Sequence, residues 1–400
     1  MNRVVIKYGG SSVATIEKMR ELAQKIIARA EANDQIVVVV SAMGNTTNQL
    51  LELAKKASSR PPKREIDLLI STGEQVSISL FTMVLNEMGG NAIALTGFQA
   101  GIQTTGLHTK TKIKDITTTT IEKHLNDGKI VVVAGFQGQN ELGDITTLGR
   151  GGSDTTAVAI AAKLKTHAEI YTDVEGIYGI DPRLFPNAKK IDQITYEEMK
   201  EMAFLGAKVM EPRSIEIGHR FGVKIYVASA HSNTPGTWIM EATPMEEKQI
   251  TGLSISQKIL MVTLRNVPNK ARIIAAIFSA LAQQEVNVDI ISKTTSIQDV
   301  INLAFTASSD DYDAIEAIVK SFQTSIPLLA VDYDTDVVKV SVVGTGMRTQ
   351  SGVAAKLFLL LADHNIEFKL VTTSEISISY TMDRKYQDEV VHAIATAFGL

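Results

Sequence analysis

The chain has 400 residues, 44% of them hydrophobic and 21% charged, a composition typical of a globular protein with roughly two to three domains. A formal net charge of −4 argues against a nucleic-acid partner, and the absence of cysteine excludes disulfides, thiol nucleophiles and cysteine metal sites. There is no signal segment, no apolar run approaching a membrane span and no paired histidine spacing, so we expect a cytoplasmic protein without a membrane partner.

The first half of the chain alternates short β-branched runs with helical patterns, which is typical of a parallel α/β sheet. The pattern predicts strands over residues 4–6, 36–40, 92–95, 130–134, 169–171 and 224–227. It predicts helices over residues 16–30, 49–57, 65–88 and 196–204, with a further helix that begins within 149–156. The Pro235-Gly236 turn and the polar residues 241–249 then indicate a linker.

The second half changes to the order βαββαβ, which is the ferredoxin-like pattern. The first unit has predicted strands at 260–264, 286–291, 300–305 and 328–331, with helices at 273–283 and 312–322. The second has strands at 337–343, 366–371 and 376–380, with helices at 353–362 and 387–398. Phe278 and Leu281 recur as Phe358 and Leu361, which supports an internal repeat. The second unit lacks its last strand, and the unassigned residues 250–255 could supply it, so we predict that one repeat is inserted within the other.

The most informative segment is Gly149-Arg150-Gly151-Gly152-Ser153-Asp154-Thr155-Thr156, at the start of a predicted helix. The free N–H groups of a helix start bind anions, and the Arg150 guanidinium suits a carboxylate or a phosphate. A glycine-rich turn with an ordinary N-cap would explain the same residues, so this segment alone leaves both interpretations open.

Other candidate groups follow the predicted strands, where open α/β sheets place their ligands. Lys7, Gly9 and Gly10 could hold a polyphosphate, although a structural glycine turn is an alternative and no P-loop motif occurs. Ser41 and Thr47 follow the second strand, and Glu74 lies beside a glycine within a helical pattern, where a solvated surface residue is the usual explanation. A set at a later strand end could hold a nucleotide or could be turn and surface residues: Thr172, Asp173, Tyr178, Asp181, Arg183 and Lys208.

These groups together favour phosphoryl transfer, which needs positioning and positive charge more than a nucleophile of the protein. No Ser-His-Asp order, histidine pair or nucleophilic cysteine competes with them.

The chain resembles the aspartate kinases, which combine an amino acid kinase domain with a C-terminal pair of ACT domains. The resemblance rests on residues 7–13, 39–44, 72–75, 135–138, 149–156, 171–178 and 181–183, which match in the same order. It implies an amino acid kinase domain at 1–240, a linker and leading strand at 241–258, and ACT domains at 259–334 and 335–400.

The resemblance implies transfer of the ATP γ-phosphoryl group to the β-carboxylate of L-aspartate, which begins lysine, threonine, methionine and diaminopimelate biosynthesis. ATP with Mg²⁺ is the implied cofactor, although no direct metal motif is present. Lys7, Gly9 and Gly10 would hold phosphates, and Asp154 would organise Mg²⁺ or its waters. The nucleotide site would add Ser41, Thr172, Asp173, Tyr178, Asp181, Arg183 and Lys208. The aspartate site would comprise Thr47, Glu74, Arg150, Gly151, Gly152 and Ser153.

The ACT pair implies an amino-acid effector, such as lysine or threonine, and a homo-oligomer formed through these domains. The implied effector residues are Asn287, Asp289, Lys293, Asn365, Thr373, Ser374 and Glu375. Arg272 departs from the glycine expected near the first effector site, whereas Gly352 keeps that glycine in the second, and Glu211 replaces a common histidine. Met245 could start a separate regulatory subunit, and a linker methionine is the alternative.

Two other functions remain open from the residues. An enzyme of the same fold could phosphorylate glutamate, N-acetylglutamate or a nucleotide, which the tandem repeats and residues 149–156 argue against. A non-catalytic amino-acid sensor could have lost kinase activity, which the set Lys7, Glu74, Arg150 and Asp173 argues against.

Overall fold

A computed structural model describes residues 2–207, 209–241 and 249–400. The strands of its first part are β1 (Asn2–Tyr8), β2 (Asp34–Val40), β3 (Ala92–Leu95), β4 (Ile102–Thr105), β5 (Lys112–Ile116), β6 (Ile130–Ala134), β7 (Gln137–Gln139), β8 (Ile145–Thr147), β9 (His167–Thr172), β10 (Ile177–Tyr178), β11 (Lys190–Ile191), β12 (Gln193–Ile194), β13 (Ile225–Ser229) and β14 (Thr237–Ile239). The helices of that part are α1 (Ile16–Glu31), α2 (Thr46–Ala57), α3 (Lys63–Glu87), α4 (Thr119–Asn126), α5 (Gly152–Leu164), α6 (Tyr196–Leu205) and α7 (Pro212–Phe221).

The strands of the second part are β15 (Gly252–Ser256), β16 (Ile259–Pro268), β17 (Val288–Lys293), β18 (Val300–Ser308), β19 (Ala330–Asp334), β20 (Val337–Val343), β21 (Phe368–Thr373) and β22 (Ser377–Asp383). Its helices are α8 (Ala271–Gln283), α9 (Tyr312–Ser325), α10 (Val353–Asp363) and α11 (Gln387–Phe398).

The chain forms two compact units. The first consists of Met1–Ile177, Lys190–Ala203 and Lys208–Thr243, and the second of Tyr178–Lys189, Phe204–Ala207 and Pro244–Leu400. The predicted boundary at residue 240 therefore does not separate the units along the chain. The physical reason lies in the packing of residues 178–189, because Ile180 belongs to the core of the second unit and Gly179 O accepts from Leu253 N at 2.6 Å.

An eight-stranded sheet in the order β12-β14-β13-β9-β1-β2-β6-β3 forms the centre of the first unit. Neighbouring strands are parallel, apart from the antiparallel pair β13 and β14. The valine runs of β2 and β6 are fully buried, as expected for strands covered on both faces by helices. Met19 of α1 and Phe81 of α3 complete this core.

Several features of the first unit differ from the sequence-based expectation. Helix α7 was not predicted, although Pro212 at its first turn and Gly222 at its C-cap are the usual end signals. A small sheet, β5-β4-β7-β8, also lacked a clear signal. Helix α3 is long and apolar enough to cross a membrane by length and composition, but more than half of its apolar window is buried within the protein.

The second unit contains two ferredoxin-like repeats, with sheet orders β17-β18-β16-β19 and β15-β20-β22-β21. Strand β15 precedes the whole first repeat in the chain, yet it pairs with β20 of the second, from Gly252 opposite Val343 to Ser256 opposite Lys339. The first repeat is thus inserted between the first strand of the second repeat and its remaining elements.

Candidate active site

The carboxyl ends of the central parallel strands meet at one edge of the sheet and are linked by backbone hydrogen bonds. Gly9 N donates to Tyr171 O at 3.2 Å, and Ser41 N donates to Tyr8 O at 3.2 Å. Gly135 N, after β6, donates to Val40 O at 3.1 Å. The loops after four strands are therefore held in register at the edge where open α/β sheets bind ligands.

The glycine turn that follows Lys7, at residues 9–10, packs closely against the loop after β2. Gly44 N donates to Gly10 O at 2.9 Å, and a Cβ atom on Gly10 would lie only 2.5 Å from Ala42 O. This position therefore has no room for a side chain. Packing alone requires a glycine here, in addition to any contact with a ligand.

Lys7 and Asp154 form an ion pair within the site. Lys7 Nζ lies 2.5 Å from Asp154 Oδ1, and both side chains are 11% exposed. The pair joins the end of β1 to the first turn of α5. Since buried charges require partners, the carboxylate stabilises an ammonium group that faces the strand ends.

The N-terminus of α5 has the form of an anion site. Its N-cap is Gly151, with φ of 64° and no side-chain cap among the described residues. Ser153 and Asp154 therefore lie inside the first turn and not at the N-cap. Ser153 packs on Gly135, where a Cβ atom would lie 2.6 Å from Ser153 Oγ, and Arg150 is exposed. Uncapped N–H groups and a guanidinium thus lie close together in the chain.

Glu74 is buried on α3, so the surface interpretation of this residue is wrong. Ala42 N donates to its Oε1 at 3.2 Å, while the buried Oε2 has no hydrogen-bond partner within the described residues. Burial raises the pKa of the Glu74 carboxyl to about 7, against the opposing effect of backbone hydrogen bonds. A buried acceptor with one unused oxygen suits a cationic group of a ligand.

Glu211, which precedes α7, packs directly against the α5 start. A Cβ atom on Gly151 would lie 2.5 Å from the Glu211 Cβ. Burial raises the pKa of Glu211 and Asp154 adds to this effect, while Arg213 and Arg150 oppose it. The residue that departs from the family pattern therefore lies beside the predicted aspartate site.

Two residues near the site were missed by sequence reasoning. Asp67 is fully buried on α3 and accepts hydrogen bonds from Thr109 N, Thr147 Oγ1 and His108 Nδ1. Arg213 of α7 donates to Leu148 O at 2.7 Å and to Thr111 O at 3.0 Å. Their partners are 41 to 102 residues away in the chain, so no local pattern could have revealed them.

The predicted nucleotide residues are divided between the two units. Thr172 is in the first unit, where its Oγ1 donates to Asp173 Oδ1 at 2.9 Å. Tyr178, Asp181 and Arg183 are in the second, where the Arg183 guanidinium pairs with the Asp181 carboxylate at 2.6 Å. Lys208 lies outside the described residues, as does Met245. Thr47 is half-buried in the first turn of α2.

The predicted effector positions lie on the two repeats. Asn287, Asp289 and Lys293 are exposed on and before β17, and Asp289 forms an ion pair with the buried Lys339 of β20. In the second repeat, a cleft of about 630 Å³ is lined by Thr373, Ser374, Glu375, Gly352 and Arg348. Asn365 is exposed and does not line this cleft.

The side chains of the site limit how it could bind a divalent cation. Among the described residues, no group of three or more His, Cys, Asp or Glu side chains could hold a metal ion by itself. Mg²⁺ usually binds through one or two carboxylates together with substrate phosphates and water. A single carboxylate, Asp154, beside a lysine is compatible with a cation that arrives with a nucleotide.

Comparison with known proteins identifies both parts of the chain. Residues 2–229 match the amino acid kinase family, and residues 340–398 match an ACT domain. The chain is 44% identical to an aspartokinase of Bacillus sp. strain MGA3 and 42% identical to aspartokinase 2 of Bacillus subtilis strain 168, each over 100% of this chain and 98% of the relative. The structure of E. coli aspartokinase III with aspartate and ADP has the same fold, with 24% identity, a TM-score of 0.82 and complete coverage of both chains. The predicted fold class, an amino acid kinase domain followed by ferredoxin-like ACT domains, is confirmed.

Proposed function

The chain belongs to the aspartokinases of the amino acid kinase family, and we propose that it transfers the γ-phosphoryl group of ATP to the β-carboxylate of L-aspartate. The product would be 4-phospho-L-aspartate, the first intermediate of lysine, threonine and methionine biosynthesis. The observation that carries the assignment to the site is the position of Lys7, whose ammonium group is buried at the strand ends beside the first turn of α5.

Lys7 would stabilise the charge that develops on the transferring phosphoryl group. Phosphoryl transfer depends on positioning and on electrostatic stabilisation, because the protein performs little covalent chemistry. The ion pair with Asp154 supports this role, since it holds the ammonium group in place before the reaction. The loops of Gly9 and Gly10 would bring backbone N–H groups to the same phosphates.

The acceptor needs no general base. A β-carboxylate is already ionised near neutral pH, so it can attack phosphorus without losing a proton. The remaining difficulty is the repulsion between two anions, the carboxylate and the phosphates. The positive charge of Arg150 and the N-terminus of α5 would reduce this repulsion. Thr47 and Ser153 would add hydrogen bonds to the acceptor, and Glu74 would accept from its ammonium group.

Magnesium is part of the proposal as the cation that accompanies ATP. When bound, it would neutralise charge on the phosphates. Asp154 is the described residue that would hold it or its waters, while Lys7 contacts the same carboxylate. Thr172, Asp173, Tyr178, Asp181, Arg183, Ser41 and Lys208 would contact the nucleotide.

We also propose feedback regulation through the ACT repeats, with an amino acid such as lysine or threonine as effector. The cleft beside Gly352 supports a site in the second repeat, because Thr373, Ser374 and Glu375 line it. In the first repeat, Asp289 already pairs with Lys339, which lies on β20 of the second repeat. A homo-oligomer assembled through the ACT repeats, a cytoplasmic location and a regulatory subunit that starts at Met245 remain part of the proposal.

Hydroxamate trapping tests this function directly. The full chain is incubated with ATP, Mg²⁺, hydroxylamine and either aspartate, glutamate or N-acetylglutamate as acceptor. We expect hydroxamate from aspartate alone. Formation with glutamate or N-acetylglutamate instead would assign a different acceptor, and no hydroxamate with any acceptor would contradict the kinase function. Addition of lysine or threonine to the active reaction then tests the effector proposal.

A further inference from the structure

Asp67 is a buried carboxylate whose hydrogen bonds converge on one loop region. Thr109 N donates to both of its oxygens at 3.0 Å, Thr147 Oγ1 donates to Oδ1 at 2.5 Å, and His108 Nδ1 lies 2.7 Å from Oδ2. The side chain is fully inaccessible. Loss of the hydrogen bonds to such a buried carboxylate costs much free energy. These bonds therefore order the chain segments that donate them.

One of these segments leads directly into the proposed aspartate site. Thr147 ends β8, and Arg150 follows three residues later. Gly149 lies between these two residues and Gly151 lies between Arg150 and α5. Their φ angles are 80° and 64°, and because glycine adopts such angles freely, the backbone itself restricts this turn little. Its geometry must therefore come from anchors on either side of the glycines.

The anchors form a connected set around the turn. Thr111 donates to Thr147 O through its N at 3.1 Å and its Oγ1 at 2.8 Å. Arg213 then fixes Leu148 O and Thr111 O. Asp67 connects this set to α3, because it binds the hydroxyl of Thr147 and the backbone of Thr109 together.

Helix α3 also carries Glu74, seven residues or about two helical turns after Asp67 and buried on the same helix. We propose that Asp67 is a positioning residue for the acceptor, which sets the distance between Arg150 and Glu74 by joining the 147–151 turn to α3. This inference rests on the proposed function, in which Arg150 and Glu74 bind opposite ends of aspartate.

The test compares Asp67→Asn with Glu169→Gln in the full-length protein. Glu169 is also a buried carboxylate with several donors, from Arg29, His167 and Tyr171, and it is outside the proposed site. Asparagine cannot accept at both side-chain atoms, so the turn would lose part of its anchor. We expect the KM for aspartate to rise about tenfold or more in Asp67→Asn, because small misplacements are costly, while the KM for ATP changes less than about twofold. Glu169→Gln should leave both KM values near those of the parent.

An unchanged aspartate KM in a folded Asp67→Asn protein would overturn the proposal, as would equal KM changes in the two variants. If Asp67→Asn does not fold, Thr147→Val removes a single donor at nearly the same volume. We expect that variant also to raise the aspartate KM, and an unchanged value would overturn the proposal.

Failure of the proposed function would be recognised separately. In that case the parent protein would give no aspartyl hydroxamate. Amide hydrogen exchange in peptides that cover residues 145–152 would then test the anchor alone. Faster exchange in Asp67→Asn than in Glu169→Gln would support the anchoring role, and equal exchange would reject it.

Discussion

Lys7 at the end of β1 and Asp154 in the first turn of α5 form an ion pair with 2.5 Å between Nζ and Oδ1. These residues are distant in the chain, yet the parallel sheet brings them together. The pair places a buried positive charge where the proposed reaction brings two anions together. Removal of this positive charge should therefore destabilise the transition state more than it weakens the binding of either substrate.

Replacement of Lys7 by methionine should lower kcat about 100-fold or more, with a much smaller change in the KM for aspartate. Steady-state kinetics in the presence of ATP and Mg²⁺ provide the measurement. Lys25→Met is the control, because Lys25 of α1 donates to Ala230 O at 3.0 Å and has no proposed role in the reaction. Near-normal turnover in Lys7→Met would remove Lys7 from the proposed mechanism.

Glu74 should make aspartate binding dependent on pH. Burial raises the pKa of its carboxyl to about 7, so this group is increasingly protonated as the pH falls through 7. Only the ionised form attracts an ammonium group, and the KM for aspartate should rise on acidification, by up to about tenfold per pH unit below the pKa. Glu74→Gln should raise the KM and abolish this dependence between pH 6 and about 8. An unchanged pH profile in that variant would show that Glu74 does not face the ammonium group.

Gly151 and Gly222 allow backbone strain to be separated from crowding. Their φ angles are nearly equal, 64° and 65°. A Cβ atom at Gly151 would lie 2.5 Å from Glu211 Cβ, whereas one at Gly222 would meet none of the described residues within 4 Å. Both substitutions by alanine should cost about 1 kcal/mol of stability from the left-handed conformation alone. Gly151→Ala should additionally reduce kcat/KM for aspartate, and Gly222→Ala should not. Equal activity in the two variants would contradict a role for the α5 start in acceptor binding.

Glu169 should make the first unit sensitive to acid. Burial raises its pKa, but hydrogen bonds from His167 and Arg29 outweigh this and lower the pKa to about 2. Because the folded pKa is below the ordinary value near 4.5, the stabilisation is complete above pH 4.5 and is lost as the pH falls towards 2. This contribution is about 3 kcal/mol. Urea unfolding should show that Glu169→Gln is less stable than the parent at pH 7 and that this difference shrinks by pH 3.

The control for that experiment is Glu52→Gln, since Glu52 is 61% exposed in a surface pair with Lys55. Its free energy of unfolding should remain near the parent value at both pH values. A constant difference for Glu169→Gln across the pH range would show that its carboxylate is not the titrating group.

Substitution of Asp289 should destabilise the protein more than substitution of its partner Lys339. The Lys339 side chain is 5% exposed, whereas that of Asp289 is 52% exposed. Asp289→Asn leaves a buried ammonium group without its counter-charge and should cost about 3 kcal/mol. Lys339→Met replaces the charge with an apolar chain of similar length and should cost less. Calorimetric melting of the two full-length variants decides this ranking, and the reverse order would show that Lys339 does not depend on the pair.

Several helices and strands were predictable because local patterns specify them. Residues 92–95, 130–134 and 387–398 were predicted with the bounds that the structure shows, since short apolar runs define the two strands and amphipathic spacing defines the helix. The start of α2 was missed by three residues, because Thr46 and Thr47 lack apolar periodicity. The contacts of Asp67 and Arg213 depend on distant parts of the chain, and only tertiary packing brings these together.

For individual side chains, too, local patterns were less informative than tertiary packing. Glu74 lies in a helix whose pattern did not reveal which polar residues face inward, and its burial follows from packing against the loop of Ala42. The sequence did not identify Gly151 as the N-cap of α5, because Gly151 adopts a left-handed conformation, whereas the usual capping residues are Ser, Thr, Asp and Asn.

The separation of β15 from β20 determines the order in which the repeats can be completed during synthesis. Strand β15 emerges from the ribosome before the entire first repeat, and its partner β20 follows only afterwards. The second repeat therefore stays incomplete until nearly the whole chain has been made, whereas the first has all of its strands before residue 335. A stop codon at that point would release a protein whose β15 has no strand to pair with. Removal of the second repeat without such an exposed edge consequently requires deletion of two separate pieces of the gene.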